Sequence, residues 1–133
     1  MPESPSPIGI IGAGVMGRGL AQALAAHKYP VLAVHSRSFS SAQGLAEKVP
    51  GCRTYSTAQE LANAVDLVFI TTPDSAIGLV AAELSWRPGQ GAVHCCGAAS
   101  TEILQPAADQ GALTGAFHPF QTFAGVVEPV DVA

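Results

Sequence analysis

Ile8-Gly9-Ile10-Ile11, followed at once by Gly12-Ala13-Gly14-Val15-Met16-Gly17, leaves few folds open to this chain. A run with no polar side chain suits a strand covered on both faces, as strands of parallel sheets are. The glycines at 12, 14 and 17 have G-x-G-x-x-G spacing, and at a strand-to-helix turn each has its own task. Gly12 permits the tight turn, Gly14 lets backbone approach a ligand, and Gly17 lets helix and strand pack closely. The helix that follows begins with N–H groups that lack intrahelical acceptors, at the positive end of its dipole. Such a turn favours a pyrophosphate, so a nucleotide cofactor is the first expectation. The glycine pattern alone is weak, but here it follows an apolar strand and opens a helix with Val15, Met16, Leu20, Ala23 and Leu24 on one face.

The rest of the chain repeats this alternation of short strand and helix, the signature of βαβ units on a parallel sheet. Strands are predicted at Ile8–Ile11, Val31–His35, Cys52–Tyr55, Asp66–Thr72, Gly91–Cys96 and Ala112–Phe117. Helices are predicted from Gly14 to His27, from Ser40 to Lys48, from the cap Thr57 to Ala64, from Pro73 to Leu84 and from Ser100 to Gln110. Thr57 with Glu60 three residues on forms a capping box, and Tyr29-Pro30 and Pro50-Gly51 act as breaks. Six strands fill one doubly wound α/β sheet of order 3-2-1-4-5-6, a Rossmann fold in three layers. Residues 1–7 read as a disordered tail, 8–124 as the domain, and 125–133 as a tail or the start of a further domain.

At 133 residues one domain is expected, too small to hold a cofactor domain and a substrate domain together. Charged residues make up 12% of the chain against roughly 25% in typical proteins, a difference that fits either an alanine-rich composition or a face covered by another domain or subunit. With six Lys and Arg and a net charge of −4, nothing favours nucleic acid. No apolar run is long enough to span a membrane, and the Pro/Ser-rich start lacks the regions of a signal peptide, so a soluble cytoplasmic protein is expected. Cys52, Cys95 and Cys96 read as structural thiols rather than metal ligands or a disulfide. No metal-ligand spacing, nucleophile elbow or Walker loop appears.

The end of strand two decides which nucleotide is expected. An NAD site places Asp or Glu about 20 residues beyond the glycines to bind the ribose 2′-hydroxyl. Between Glu3 and Glu47 this chain has neither, whereas Arg18, Lys28 and Arg37 fall in that span. Ser36-Arg37-Ser38 stands where the acid would be, a guanidinium between two hydroxyls, suited to a phosphate dianion. NADP is therefore the expected cofactor, held by Gly12, Ala13, Gly14, Val15, Met16, Gly17, Ser36, Arg37 and Ser38.

Three more loops leave the carboxyl ends of strands, the side on which open α/β sheets bind ligands. Thr71-Thr72-Pro73-Asp74 reads either as cofactor contacts or as the start of a helix. His94, ending strand five, and His118, after strand six, are candidates to touch a substrate beside the nicotinamide, where imidazole relays protons near pH 7. His35 reads as buried in strand two, and His27 as a favourable cation at a helix C-terminus.

Gly12-Ala13-Gly14-Val15-Met16-Gly17, Thr72-Pro73-Asp74, His94 with Gly97-Ala98, and His118-Pro119-Phe120-Gln121-Thr122-Phe123 together form a more specific pattern. It resembles the Rossmann-like NADP-binding domain of oxidoreductases that pair it with a helical C-terminal domain of unassigned function. That group is related to 6-phosphogluconate and 3-hydroxyacid dehydrogenases and to deazaflavin-dependent NADP oxidoreductases. The resemblance spans about residues 7–124, although related proteins often carry Ser where Cys96 stands. It implies a substrate cleft between this domain and a helical one absent from this chain, with dimerisation chiefly through the latter. Hydride transfer to or from an unknown small molecule is the leading expectation. A non-catalytic module that senses NADP is the alternative.

Overall fold

The computed structural model describes residues 6–95 and 101–116. Six parallel strands form one sheet, β1 Ile8–Ile11, β2 Val31–His35, β3 Arg53–Thr54, β4 Leu67–Ile70, β5 Gly91–His94 and β6 Leu113–Ala116, in the order β3-β2-β1-β4-β5-β6. Between them run α1 Val15–Ala26, α2 Phe39–Lys48, α3 Ala58–Ala64 and α4 Asp74–Glu83, then a 3-10 turn at Thr101–Leu104 and the short α5 Gln105–Ala108. This is the doubly wound α/β arrangement that the alternating pattern predicts. Among the described residues no helix is long and apolar enough to cross a membrane.

Successive strand residues point to opposite faces, and this divides the core in two. Ile8, Ile10, Val34 and Phe69 meet Leu20, Leu24 and Leu45 of α1 and α2. Ile11, Ala33, Val68 and Ile70 meet Leu61, Ile77, Trp86 and Leu104 on the other face. Leu20 and Leu24 are almost fully buried, each contributing about 1.5–3 kcal/mol by leaving water. Gly9 belongs to this packing, because a Cβ there would stand 2.6 Å from Leu61 Cδ2.

The register aligns the strand ends that carry the site. Ile11 pairs with His35 of β2 and Ile70 of β4, and Ile70 with His94 of β5, so four carboxyl ends lie in one row. At the opposite edge Gln90, buried, donates to the carbonyls of Ala62 (2.7 Å) and Val65 (3.0 Å) at the end of α3. Arg87 donates to the same two carbonyls and pairs with Asp66 at 3.1 Å.

Several boundaries differ from the sequence reading for physical reasons. The helix expected over Ser100–Gln110 is broken into a 3-10 turn and a single α turn, since Pro106 has no N–H and its ring clashes with the carbonyl four residues earlier. Ser100 itself, with Cys96, lies outside the described residues. Strand three shrinks to Arg53–Thr54, and strand four to Leu67–Ile70, where the Thr71 side chain turns to bond the glycine loop. The capping box is half made. Thr57 Oγ1 accepts from the Glu60 N–H at 3.0 Å, while the Glu60 carboxylate accepts the Ser56 hydroxyl instead of reaching back to Thr57. Helix α1 ends in a Schellman turn, with Tyr29 N–H to Leu24 O (3.0 Å) and Lys28 N–H to Ala25 O (2.9 Å), and Lys28 adopts φ +72° where glycine is the usual residue.

Candidate nucleotide-binding cleft

The glycine turn has the geometry its spacing requires. Gly12 has φ +104°, donates to His35 O at 2.7 Å, and its carbonyl accepts the Thr71 hydroxyl at 2.9 Å. Thr71 Oγ1 also lies 3.1 Å from Ile11 O, so one hydroxyl from the end of β4 fixes the end of β1 and the turn after it. Gly17 is buried beneath the turn, where a Cβ would run into Gly12 O and stand 2.8 Å from Thr71 Oγ1. Gly14 differs from both, for a Cβ there meets nothing within 4 Å. Packing among the described residues therefore makes no demand for glycine at 14 and leaves the backbone there open to a ligand.

Gly14 is the N-cap of α1 and offers no side-chain cap, and the first turn contains no acid. Backbone bonding begins with Arg18 N–H to Gly14 O, which leaves the N–H groups of Val15, Met16 and Gly17 without intrahelical acceptors. Gly14, Val15 and Met16 at this terminus border a cleft of about 640 Å³. Gly12, Ala13, Gly14, Val15 and Met16 line it from the glycine turn, Ser36, Arg37 and Ser38 from the end of β2, and Thr71, Thr72 and Pro73 from the end of β4. Three stretches separated by about 20–35 residues in sequence are thus brought to one opening by the aligned strand ends.

The turn after β2 is held by its serines. Ser36 Oγ accepts from Ser38 N–H at 3.2 Å, and Ser38 caps α2, accepting from Ser41 N–H at 3.3 Å while its hydroxyl pairs with Ser40 Oγ. Arg37 between them is exposed, and among the described residues it makes no hydrogen bond or ion pair. Thr72 Oγ1 is buried, with no hydrogen-bond partner among the described residues. A buried orphan hydroxyl costs about 1–3 kcal/mol, a penalty a ligand in the cleft would relieve. The bare helix terminus, the open space at Gly14, the free guanidinium and the orphan hydroxyl all fit one extended, multiply anionic ligand with hydroxyl groups.

Other sequence candidates fall elsewhere. His94 ends β5 fully buried, on the same face as Ala92, and does not line the cleft. His118 lies outside the described residues. Asp74 opens α4 as its first residue. The reading of His35 as buried is corrected. It is half-buried and lines the cleft, donating Nδ1–H to Tyr55 O at 2.9 Å, which leaves Nε2 as the ring's second polar atom. Ile11, Ala58, Val80, Glu83 and Leu84 also line the cleft and were not anticipated, because they depend on how α3 and α4 cross the sheet rather than on a local motif. Cys52 and Cys95 are free, half-buried thiols against the α1 and α2 side of the core; burial pushes their pKa up to about 11 and about 12. Among the described residues no group of three His, Cys, Asp or Glu side chains gathers to hold a metal.

A doubly wound sheet with a glycine-rich turn at the strand-order reversal defines a nucleotide-binding class of α/β domain. Residues 3–119 match the Rossmann-like domain family, and the chain belongs to it. Among solved structures it is similar to an NADP oxidoreductase from Bacteroides fragilis, at 28% identity and TM-score 0.70 over 85% of this chain and 43% of that one. An imine reductase from Pseudomonas sp. is similar at 25% identity and TM-score 0.67, over 84% of this chain and 41% of that one. The Mycobacterium tuberculosis 3-hydroxyisobutyrate dehydrogenase shares the fold, with TM-score 0.69 at 19% identity, over 83% of this chain and 39% of that one. The chain therefore spans less than half the length of these structural relatives. No curated protein matches it significantly.

Proposed function

We propose that this chain is the NADP-binding domain of an oxidoreductase that transfers hydride between NADP(H) and a small molecule. The observation that carries the reading is Arg37, a guanidinium with no partner among the described residues, in the same cleft as the bare terminus of α1. An aspartate or glutamate at the end of β2 would repel a 2′-phosphate, and Ser36-Arg37-Ser38 stands there instead. The likeness to oxidoreductases, one of them described as an NADP oxidoreductase, supports the same class.

Each part of the cleft then has a role. The N–H groups of Val15, Met16 and Gly17 receive the pyrophosphate, with Gly14 allowing its approach. Arg37, with the hydroxyls of Ser36 and Ser38, receives the 2′-phosphate. The Thr72 hydroxyl binds the cofactor's ribose or carboxamide, and the Pro73-Asp74 start of α4 borders it. When bound, the cofactor supplies the hydride, while the chain orients it and excludes water from one side. His118 is our leading residue for substrate contact, with His94 second because it is enclosed at the end of β5. A helical second domain that completes the substrate cleft and forms a homodimer belongs to the same reading, and relatives of which this chain covers 43% and 39% leave room for such a domain.

A crystal structure with NADPH tests this directly. It should place Arg37 within hydrogen-bonding distance of the 2′-phosphate and the pyrophosphate on the first turn of α1. An adenosine half bound elsewhere, or a 2′-phosphate turned away from Arg37, would overturn the reading.

A further inference from the structure

The large cleft adjoins a smaller recess of about 270 Å³, and the two share Arg37, Thr72, Pro73, Val80 and Glu83. One wall of the recess is α4. Ala76, Val80 and Glu83 are spaced four and three residues apart, so they form a single helix face, apolar for two turns and ending in a carboxylate. Arg37, from the turn after β2, supplies a planar guanidinium to the same recess. A slot between a guanidinium and the apolar side chains of Ala76, Leu79 and Val80 suits a flat aromatic ring, since arginine stacks on π faces and aliphatic side chains pack against the other face.

Glu83 is hard to explain from the fold. It is the last residue of α4, where the helix dipole disfavours a negative charge, and the last turn has no basic residue to offset it. It is exposed, and among the described residues it makes no hydrogen bond or ion pair. It also faces a cleft whose other groups call for several negative charges, so for phosphate binding alone it is a liability. An ionised carboxylate is an acceptor only, with no donor to offer. The ligand feature that suits an acceptor at the edge of an aromatic slot is an exocyclic amino group.

We infer that Glu83 reads the base of the dinucleotide, its carboxylate accepting a hydrogen bond from the 6-amino group of adenine and so selecting adenine over a 6-oxopurine. This rests on the nucleotide reading above. In a 6-oxopurine position 6 carries a carbonyl, so two acceptors face one another there, and the carboxylate keeps a partner only by shifting to the neighbouring N1–H. The residue would thus offset its repulsion of the phosphates by discriminating among nucleotides that share the same phosphates and sugar.

Calorimetry on the whole chain with NADPH and with its hypoxanthine analogue, in which the 6-amino group is replaced by an oxo group, tests the inference. A solvent-screened hydrogen bond to a charged group should make the parent bind NADPH about fivefold more tightly than the analogue. In Glu83→Gln the side-chain amide both donates and accepts, and the two ligands should bind within about twofold of each other. Losing the charge raises affinity for both ligands alike, so that effect cancels in the ratio. A parent that binds both equally, or a preference unchanged in Glu83→Gln, overturns the role of Glu83 while leaving the nucleotide site intact. If neither ligand binds the parent, the nucleotide reading falls and this inference falls with it.

Discussion

Gly14 and Gly17 belong to one motif, yet substituting alanine should damage different properties at the two positions. At Gly17 a new Cβ meets the carbonyl oxygen of Gly12, a backbone atom that cannot swing away, and it lies 2.8 Å from Thr71 Oγ1. Overpacking of this kind costs about 1–3 kcal/mol. The displaced Thr71 hydroxyl also weakens its bonds to Ile11 O and Gly12 O, each contributing about 1 kcal/mol. Alanine's better helix propensity returns about 1 kcal/mol. Gly17→Ala should therefore lose about 2 kcal/mol, lowering Tm by roughly 6–10 °C for a domain of this size. At Gly14 the added methyl meets nothing within 4 Å among the described residues, and only the poorer N-cap counts, about 0.5–1 kcal/mol. On the proposed function its methyl stands in the approach of the pyrophosphate, so Gly14→Ala should weaken NADPH binding at least tenfold, about 1.4 kcal/mol. Thermal unfolding and calorimetry on both variants separate the effects. A Gly17→Ala variant as stable as the parent, or a Gly14→Ala variant with parental NADPH affinity, would refute the reasoning.

Gln90→Leu removes a buried amide from the Ala62 and Val65 carbonyls, and urea unfolding should show a loss of about 1–3 kcal/mol with NADPH affinity unchanged. Lys28→Gly relieves a side chain held at φ +72° and should stabilise the chain by about 0.5–1 kcal/mol, read as a higher urea midpoint. The thiols of Cys52 and Cys95 are raised from 9.0 to about 11 and about 12, so the folded state holds protons that the unfolded chain releases above pH 9. Their stabilising contribution should be complete below pH 9 and fall as pH rises toward 12, and a serine replacement at both sites should flatten that alkaline decline.

The layer order was legible because β1 and β4 are uninterrupted apolar runs and Gly12 and Gly17 answer steric demands of the turn itself. The polar half of the cleft was legible for the same reason, since Gly12 to Met16 and Ser36 to Ser38 sit at the carboxyl ends of readable strands. Val80, Glu83 and Leu84 were not, because their place in the cleft depends on a crossover that brings the far end of α4 beside a turn more than 40 residues earlier. His35 is half-buried where the strand pattern predicts burial. A residue at the last position of a strand is only half covered, and pairing with Tyr55 O leaves the ring at the cleft edge. The break before α5 was available from Pro106, whereas the positive φ at Lys28 has no counterpart in residue type.

The central claim is that the turn after β2 is built for a 2′-phosphate. Calorimetric dissociation constants for NADPH and NADH, in the parent and in Arg37→Ala, test it most directly. Charge-assisted hydrogen bonds contribute about 1.5–3 kcal/mol, so the parent should bind NADPH at least tenfold more tightly than NADH. In Arg37→Ala that preference should fall to within about threefold, as expected when the one guanidinium reading the phosphate is removed. A parent that prefers NADH, or an NADPH preference that survives the loss of Arg37, would contradict the account.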